Sequence, residues 1–423
     1  APRTVLKGTT FDVLSVEGAT AGAFDTVRSE LFTYAQSTAG GTLSVGPATA
    51  EFDQARFGLS AQQRTLGGYL EGIFEASDAT YGRTFGVLDA AVAADDSSFG
   101  RFLTELSPGA SLAASAANIE LSQSRFDALL GCGQTPWERA SGTATGQGCV
   151  IAESSGRSLE QDSGSGAVGY DAALFTTTVG FQAPVAPDTT AGFAIGYEHS
   201  RFDGDLTSAD TDGDTFTVGA SATRRYGDFA VSLAASGSFG WHDLERKVSL
   251  PDGTRTALAD YTSWSLGLRA RAAYGFDVGQ VMVTPALDLD FVYAAAEGYS
   301  ERGAGERGLT VDDSEETALR ATPSLSLARR FDIGEATTLV TWATAGLSVS
   351  TADSYGATAR FTGAAADAGS FASDVALSQA SGRVSAGLEL FATEQLNVGL
   401  RYDGAFGNGY AGHAGSLRLN WRF

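Results

Sequence analysis

Three histidines, two cysteines and several runs of carboxylates are the residues of this chain that could catalyse, crosslink or hold a metal. His199 follows Glu198 and His242 precedes Asp243, but neighbours on a strand point to opposite faces, so neither pair makes a dyad along the chain. His413 stands near the C-terminus with no acid beside it. Nucleophilic catalysis needs a nucleophile within reach of an oriented base. Neither a Gly-x-Ser-x-Gly nor a Gly-Asp-Ser-Leu elbow occurs, so no catalytic residue is expected. The acidic runs Asp203-Gly204-Asp205, Asp210-Thr211-Asp212-Gly213-Asp214 and Asp312-Asp313-Ser314-Glu315-Glu316 lack the spacing of a calcium loop and read as solvated tips. No metal and no cofactor is expected. Cys132 and Cys149 fit no zinc signature, and a single disulfide in an oxidising compartment is the expected use of such a pair.

Other charged residues fall at regular spacing. From Tyr261 to Phe276, Trp264, Leu266, Leu268, Ala270, Ala272 and Tyr274 alternate with Ser265, Gly267, Arg269, Arg271 and Ala273. The next segment inverts parity, with Val281, Val283, Leu287, Leu289 and Phe291 on one face and Asp288 and Asp290 on the other. Period-two alternation is the mark of β-strands with one apolar and one polar side. Arg269, Arg271, Asp288, Asp290, Arg320, Arg383, Glu389 and Arg401 all share the polar side. Trp264 to Tyr274 extends about 34 Å along a strand, or about 26 Å of height at a tilt of about 40°, the height of a lipid-facing band with an aromatic at each border. Sandwich strands are shorter. The polar face then lines a lumen, although ordinary cross-strand ion pairing would produce the same pattern.

Twelve such strands are expected, near 149–162, 168–183, 190–203, 213–226, 228–248, 257–276, 280–298, 309–331, 336–350, 376–391, 394–405 and 412–423. An even number puts both ends of a barrel on the periplasmic side. The last strand sends Leu417, Leu419, Trp421 and Phe423 to one face and Ser416, Arg418, Asn420 and Arg422 to the other. Pro285 and Pro323 fall inside strands, where each removes a ladder donor, and a local bulge or a wide hydrogen bond is expected at each.

Composition agrees with this architecture. The 423 residues include 53 glycines and 43% apolar residues, and no run of eighteen apolar residues could form a spanning helix. A net charge of −22 argues against nucleic acid as a partner, because no basic stripe exists to neutralise phosphates. No signal peptide is visible at Ala1-Pro2-Arg3, so an exported chain would be a processed or trimmed piece.

Upstream of the barrel the texture changes twice. Thr4-Val5-Leu6, Phe11 to Val16 and Thr42-Leu43-Ser44-Val45 are short β-prone runs broken by glycines, suiting either solenoid rungs or a small sheet. Leu66, Tyr69, Leu70, Ile73 and Phe74 then recur at helical spacing. Ser107-Pro108 reads as an N-cap and first helical position, opening a helix over Ala110 to Leu130 with no glycine or proline. At 1.5 Å per residue that helix is about 32 Å long. Its Asn118, Glu120, Gln123, Arg125 and Asp127 exclude contact with lipid but suit a polar lumen, the alternative being an ordinary surface helix.

The order of β-rungs, helical linker, lumen-sized helix, barrel and terminal Phe resembles the translocator region of autotransporters (type V secretion). Gly22-Ala23-Phe24-Asp25-Thr26-Val27 is similar to the family's passenger end, and Leu59-Ser60-Ala61-Gln62-Gln63 to the opening of its helical linker. Val168-Gly169-Tyr170-Asp171, Gly192 to Tyr197 and Tyr402-Asp403-Gly404 resemble successive barrel landmarks. The resemblance implies a non-enzymatic all-β membrane protein, a 12-stranded antiparallel transmembrane β-barrel with an α-helix in its lumen. The implied segments are 1–58 as a passenger end of autochaperone type, 59–131 as the helical linker with the lumen helix at 107–131, 132–148 as a cysteine-bounded spacer, and 149–423 as the barrel. It also implies the chain's own N-terminal passenger, the barrel-assembly machinery, periplasmic chaperones, lipid and lipopolysaccharide as partners. A monomer in the outer membrane of a Gram-negative bacterium is implied, with Leu417, Leu419, Trp421 and Phe423 as assembly signal. The lumen helix has no Asn-Asn pair of the kind that self-cleaving members use, so cleavage at Asn118-Ile119 is not expected. A diffusion channel or porin with residues 60–130 as a periplasmic plug or partner domain is the other function these features allow.

Overall fold

The computed structural model describes residues 4–18, 22–131, 148–163, 168–204, 208–334, 337–393 and 395–423. Strands β1 (Phe11–Ser15), β2 (Val27–Arg28), β3 (Phe32–Ala39) and β4 (Thr42–Ala50) open the chain and pair antiparallel in the order β1-β4-β3-β2. Solenoid rungs stack in parallel, so this is a small sheet. Thr4-Val5-Leu6 is not a strand, and the Val5 N–H instead donates to the Gly82 carbonyl.

Helices α1 (Ala61–Glu75), α2 (Gly82–Ala94), α3 (Ser98–Glu105) and α4 (Ala113–Leu129) follow. Ser60 and Gln63 form a reciprocal capping box at the start of α1, which buries Leu66, Tyr69, Leu70, Ile73 and Phe74. The expected cap at Ser107 does not form. Its hydroxyl donates to the Thr104 carbonyl at 2.7 Å, and Gly109 takes a positive φ of 52° that no helix interior tolerates. A 3₁₀ turn at Gly109–Leu112 intervenes, and α4 begins only at Ala113.

The barrel strands are β5 (Cys149–Gln161), β6 (Tyr170–Ala186), β7 (Thr189–Gly204), β8 (Ser208–Tyr226), β9 (Phe229–Leu250), β10 (Gly253–Tyr274), β12 (Val281–Ala296), β15 (Ser314–Asp332), β16 (Thr338–Ser350), β19 (Ala380–Phe391), β20 (Leu396–Gly407) and β21 (Tyr410–Arg422). All twelve pair antiparallel with their neighbours, β10 with β12 across the short β11 (Phe276–Val278). The ring closes where β21 meets β5, from Tyr410 opposite Gln161 to Arg422 opposite Cys149. Short connections lie at one end, Asp188 and Gly227 supplying the left-handed conformations (φ 57° and 66°) that two of these turns need. The long connections lie at the other end, which in outer-membrane barrels faces outward.

No bulge forms at either proline. Pro285 pairs with Leu325, and Pro323 with Leu287, in an unbroken β12–β15 register. Pro285 lies just past the last β10–β12 pair, Ala273 with Ala286, so its missing N–H falls where that ladder has ended. At Pro323 the β15–β16 ladder skips two pairs and resumes in the same register.

The long connections carry a sheet that the alternation pattern did not announce: β13 (Tyr299–Ser300), β14 (Leu309–Val311), β17 (Ser354–Phe361) and β18 (Phe371–Ala376), in the order β13-β14-β17-β18. It stands above one side of the barrel, while β8 to β10, at 19 to 22 residues, rise above the other. One buried apolar cluster runs from Phe32 and Phe52 of the first sheet through Phe74, Phe85 and Phe99 of the helices to Ile119, Tyr170 and Tyr410 in the outer half of the barrel. The outer wall below bears exposed Phe193, Ile195, Val218, Leu233, Leu266, Leu268, Leu289 and Leu400, the surface that lipid covers.

Candidate functional site: the filled lumen

Helix α4 occupies the barrel interior, and all five polar residues picked out along it meet the wall. Asn118 donates from Nδ2 to Ser263 Oγ at 3.3 Å and accepts from Arg125 at 3.0 Å. Glu120 pairs with Arg320 at 2.9 Å and more loosely with Arg383 at 3.7 Å. Gln123 donates to Thr322 and Ser348, each at 3.3 Å. Arg125 reaches Ser238, Ser265 and Glu198. Asp127 lies between three guanidiniums, Arg269 at 2.8 Å, Arg271 at 3.1 Å and Arg401 at 3.2 Å. An aspartate near a helix C-terminus adds negative charge to the negative end of the helix dipole, and the three arginines offset both.

The wall arginines are held in place before the helix is counted. Arg269 makes a two-pronged contact with Asp290 (2.6 and 2.8 Å), and Arg271 makes another with Asp288 (2.6 and 2.9 Å). These are cross-strand neighbours on β10 and β12. Arg401 pairs with Asp403 on its own strand. Planar guanidiniums already held by one carboxylate lose little further freedom when a second arrives. Arg269 also lies over the Phe126 ring at 4.9 Å. Glu389 is buried and accepts from Asn397 of the neighbouring strand at 2.9 Å.

The helix end is satisfied as well. Ser221 donates to the Leu129 carbonyl at 2.8 Å, and Gln182 donates to the same oxygen. These two residues, with Glu198, Ser263, Thr322 and Ser348, were not marked by the sequence. They are ordinary inward positions whose partners emerge only once the strand register is known. The helix packs on β6 to β10 and β12, and a cavity of about 160 Å³ remains between it and the wall bearing Arg157, Thr344, Arg383 and Arg418.

The three histidines have different partners. His199 meets Asp214 on the next strand at 3.0 Å, on the outer face, with Tyr197 donating to the same carboxylate. His242 is buried against Ser263 at 2.8 Å, and among the described residues its Nδ1 has no hydrogen-bond partner. His413 meets the Tyr402 hydroxyl at 2.8 Å. On the terminal strand, Leu417, Leu419, Trp421 and Phe423 face outward and are exposed. Cys149 is buried at the start of β5, whereas Cys132 lies outside the described residues.

The loop end also corrects the placement that the channel alternative requires. Helices α1 to α3 lie on the side of the long connections, with Tyr69 of α1 against Phe361 and Phe371, and do not sit at the periplasmic mouth.

Residues 150–403, more than half of the chain, match the family model described as autotransporter beta-domain. Over 193 residues, 44% of the chain, it is 24% identical to "Esterase EstA" of Pseudomonas aeruginosa, and the same figures hold for "Esterase EstA" of Pseudomonas putida. The match spans only 29% of the length of these relatives. The translocator domain of autotransporter NalP from Neisseria meningitidis superposes with a TM-score of 0.57 at 19% identity, covering 73% of this chain and 98% of that one, a likeness of fold.

Proposed function

We infer how the lumen is used from the premise that this chain belongs to the autotransporter β-domain family. The β-domain is a translocator in the outer membrane of a Gram-negative bacterium, exporting a passenger that precedes it. Its barrel carries the lumen helix as the last part of the exported chain to enter, and that helix then closes the pore. The observation that supports this most is the convergence of Arg269, Arg271 and Arg401 on Asp127, which uses the wall's charges to hold the helix. Residues 1–58 serve as the passenger end and 59–131 as the linker that follows it through the barrel. The outward Leu417, Leu419, Trp421 and Phe423 are the signal by which the barrel-assembly machinery takes up the chain from periplasmic chaperones. The barrel works as a monomer among lipid and lipopolysaccharide. A Cys132–Cys149 disulfide fastens the linker to the first strand. An enzyme passenger of the kind the relatives' name describes would lie outside these residues, and mass spectrometry of the precursor and its surface fragments would identify it.

Planar-bilayer recording tests the plug. The intact chain should be nearly closed, and a chain lacking residues 1–130 should conduct steadily. Equal conductance of the two would show that the helix does not close the pore, and a steady, ion-selective pore in the intact chain would favour a diffusion channel.

A further inference from the structure

Above the membrane the strands form a second, smaller ring. Leu258 of β10 bridges to Arg302, exchanging two backbone hydrogen bonds of 2.9 Å, and β13, β14, β17 and β18 continue from there. Val375 of β18 then bridges to Val168, just before β6. This ring is filled by the exported chain. Residues Ser107 to Ser115 are buried throughout, with the Tyr299 hydroxyl 2.8 Å from that of Ser111 and Tyr261 donating to the Ser111 carbonyl at 3.1 Å. Arg246, 1% exposed, holds Glu301 of one long loop by two prongs and donates to the Glu105 carbonyl of α3 at 2.7 Å. Arg307 of the same loop grips Asp252 with two contacts of 2.8 Å. Among the described residues, the ring is thus occupied by the segment that leads into α4.

The helices meet the same buried face of this sheet. Phe361 of β17 stacks on Tyr81 at 5.6 Å and packs on Tyr69 at 5.7 Å, and its N–H donates to the Tyr69 hydroxyl at 3.1 Å. Gln62 of α1 donates to Ser373 of β18, and Arg83 of α2 reaches Asp252 at 3.5 Å. Interlocked aromatic anchors with a polar rim are the anatomy of a specific interface rather than of a tether.

We propose that the loops spanning residues 297–313 and 351–379 form a clasp that binds helices α1 and α2 of the exported chain and retains them at the cell surface without a covalent link. The proposal rests on the reading that this end of the barrel faces outward. It differs from the plug, because the contacts involved lie outside the lumen and upstream of α4.

The turn Asp95–Ser97 between α2 and α3 is exposed and suits insertion of a recognition sequence for a site-specific protease. After cutting the purified full chain in detergent, the fragment that ends in α2 should co-elute with the barrel. On intact cells it should stay with the cell pellet after external cutting. Phe361→Asp, which places a carboxylate between Tyr69 and Tyr81, should release most of the fragment in both experiments. Tyr69→Ala should also release it while leaving the clasp sequence unaltered, and unchanged heat-modifiable mobility of the barrel would exclude misfolding as the cause. Prompt release of the fragment from the purified, otherwise unaltered chain would overturn the clasp. Failure of the protease to cut on intact cells, with co-elution in detergent, would instead overturn the outward orientation and leave the clasp standing.

Discussion

Asp127 is where the charges of four elements converge. Its three arginine partners come from β10 and β20, and two of them are already held by carboxylates of β12. Asp127→Asn would therefore not orphan a buried ion, because Asp290, Asp288 and Asp403 remain to balance the arginines. The loss should be that of a charged hydrogen bond, about 2 kcal/mol, rather than the larger penalty of an unpaired buried charge. It should appear as an earlier onset of conductance when urea is titrated against the intact protein, whereas Glu245→Gln on the outer face should change nothing. This convergence was only half legible. The inward set Arg269, Arg271, Arg401 and the helix acid Asp127 could each be read from alternation and helix composition. Which arginine meets which acid depends on register and on the rotation of α4, and residues 274 positions apart carry no local signal of contact.

The terminal strand β21 shows how one element carries two tasks on two faces. Arg418 points inward to Glu153 at 2.6 Å, and Arg422 lies over the Phe391 ring at 5.1 Å. Outward Phe423 stacks on Phe181 at 5.8 Å and exchanges backbone hydrogen bonds with Gly148. If the outward face is the assembly signal, deleting Phe423 should impair membrane insertion far more than Arg422→Ala, judged by heat-modifiable gel mobility. Equal insertion of the two variants would deny this strand a special part. The twelve barrel strands were legible because each is long and alternates between lipid-facing and lumen-facing residues. Strands β13 and β14 have two and three residues, too few for a period to show. In β17 the buried side is Tyr355, Ala357, Ala359 and Phe361, and alanine in the middle positions flattens the pattern. At the prolines a local rule predicts a bulge or a wide hydrogen bond, and a ladder end beside Pro285 and two skipped pairs at Pro323 take their place.

At the scale of the molecule, the chain is fixed outside by the clasp, in the middle by the charged helix contacts, and at the periplasmic rim by the end of the linker. At that rim Gly131 lies so close to the wall that a side chain there would meet Ile151 at 3.2 Å and Arg418 at 2.8 Å. Arg418 also donates to the Gly131 carbonyl at 3.4 Å. Ile151 is two residues from Cys149 on β5, and Gly131 directly precedes Cys132 in sequence. The described end of the linker and the start of the first strand therefore lie at neighbouring points of the rim, as a Cys132–Cys149 crosslink would require. Closing a loop of this size is worth about 3 kcal/mol in the chain-entropy account. Protein purified from outer membranes should carry no free thiol by non-reducing mass measurement, and two free thiols would sink the bridge. With the bond present, Cys132→Ser should leave barrel assembly and heat-modifiable mobility intact. It should also shift the urea-induced opening of the pore to lower concentration, because only the helix, and not the wall, loses its restraint.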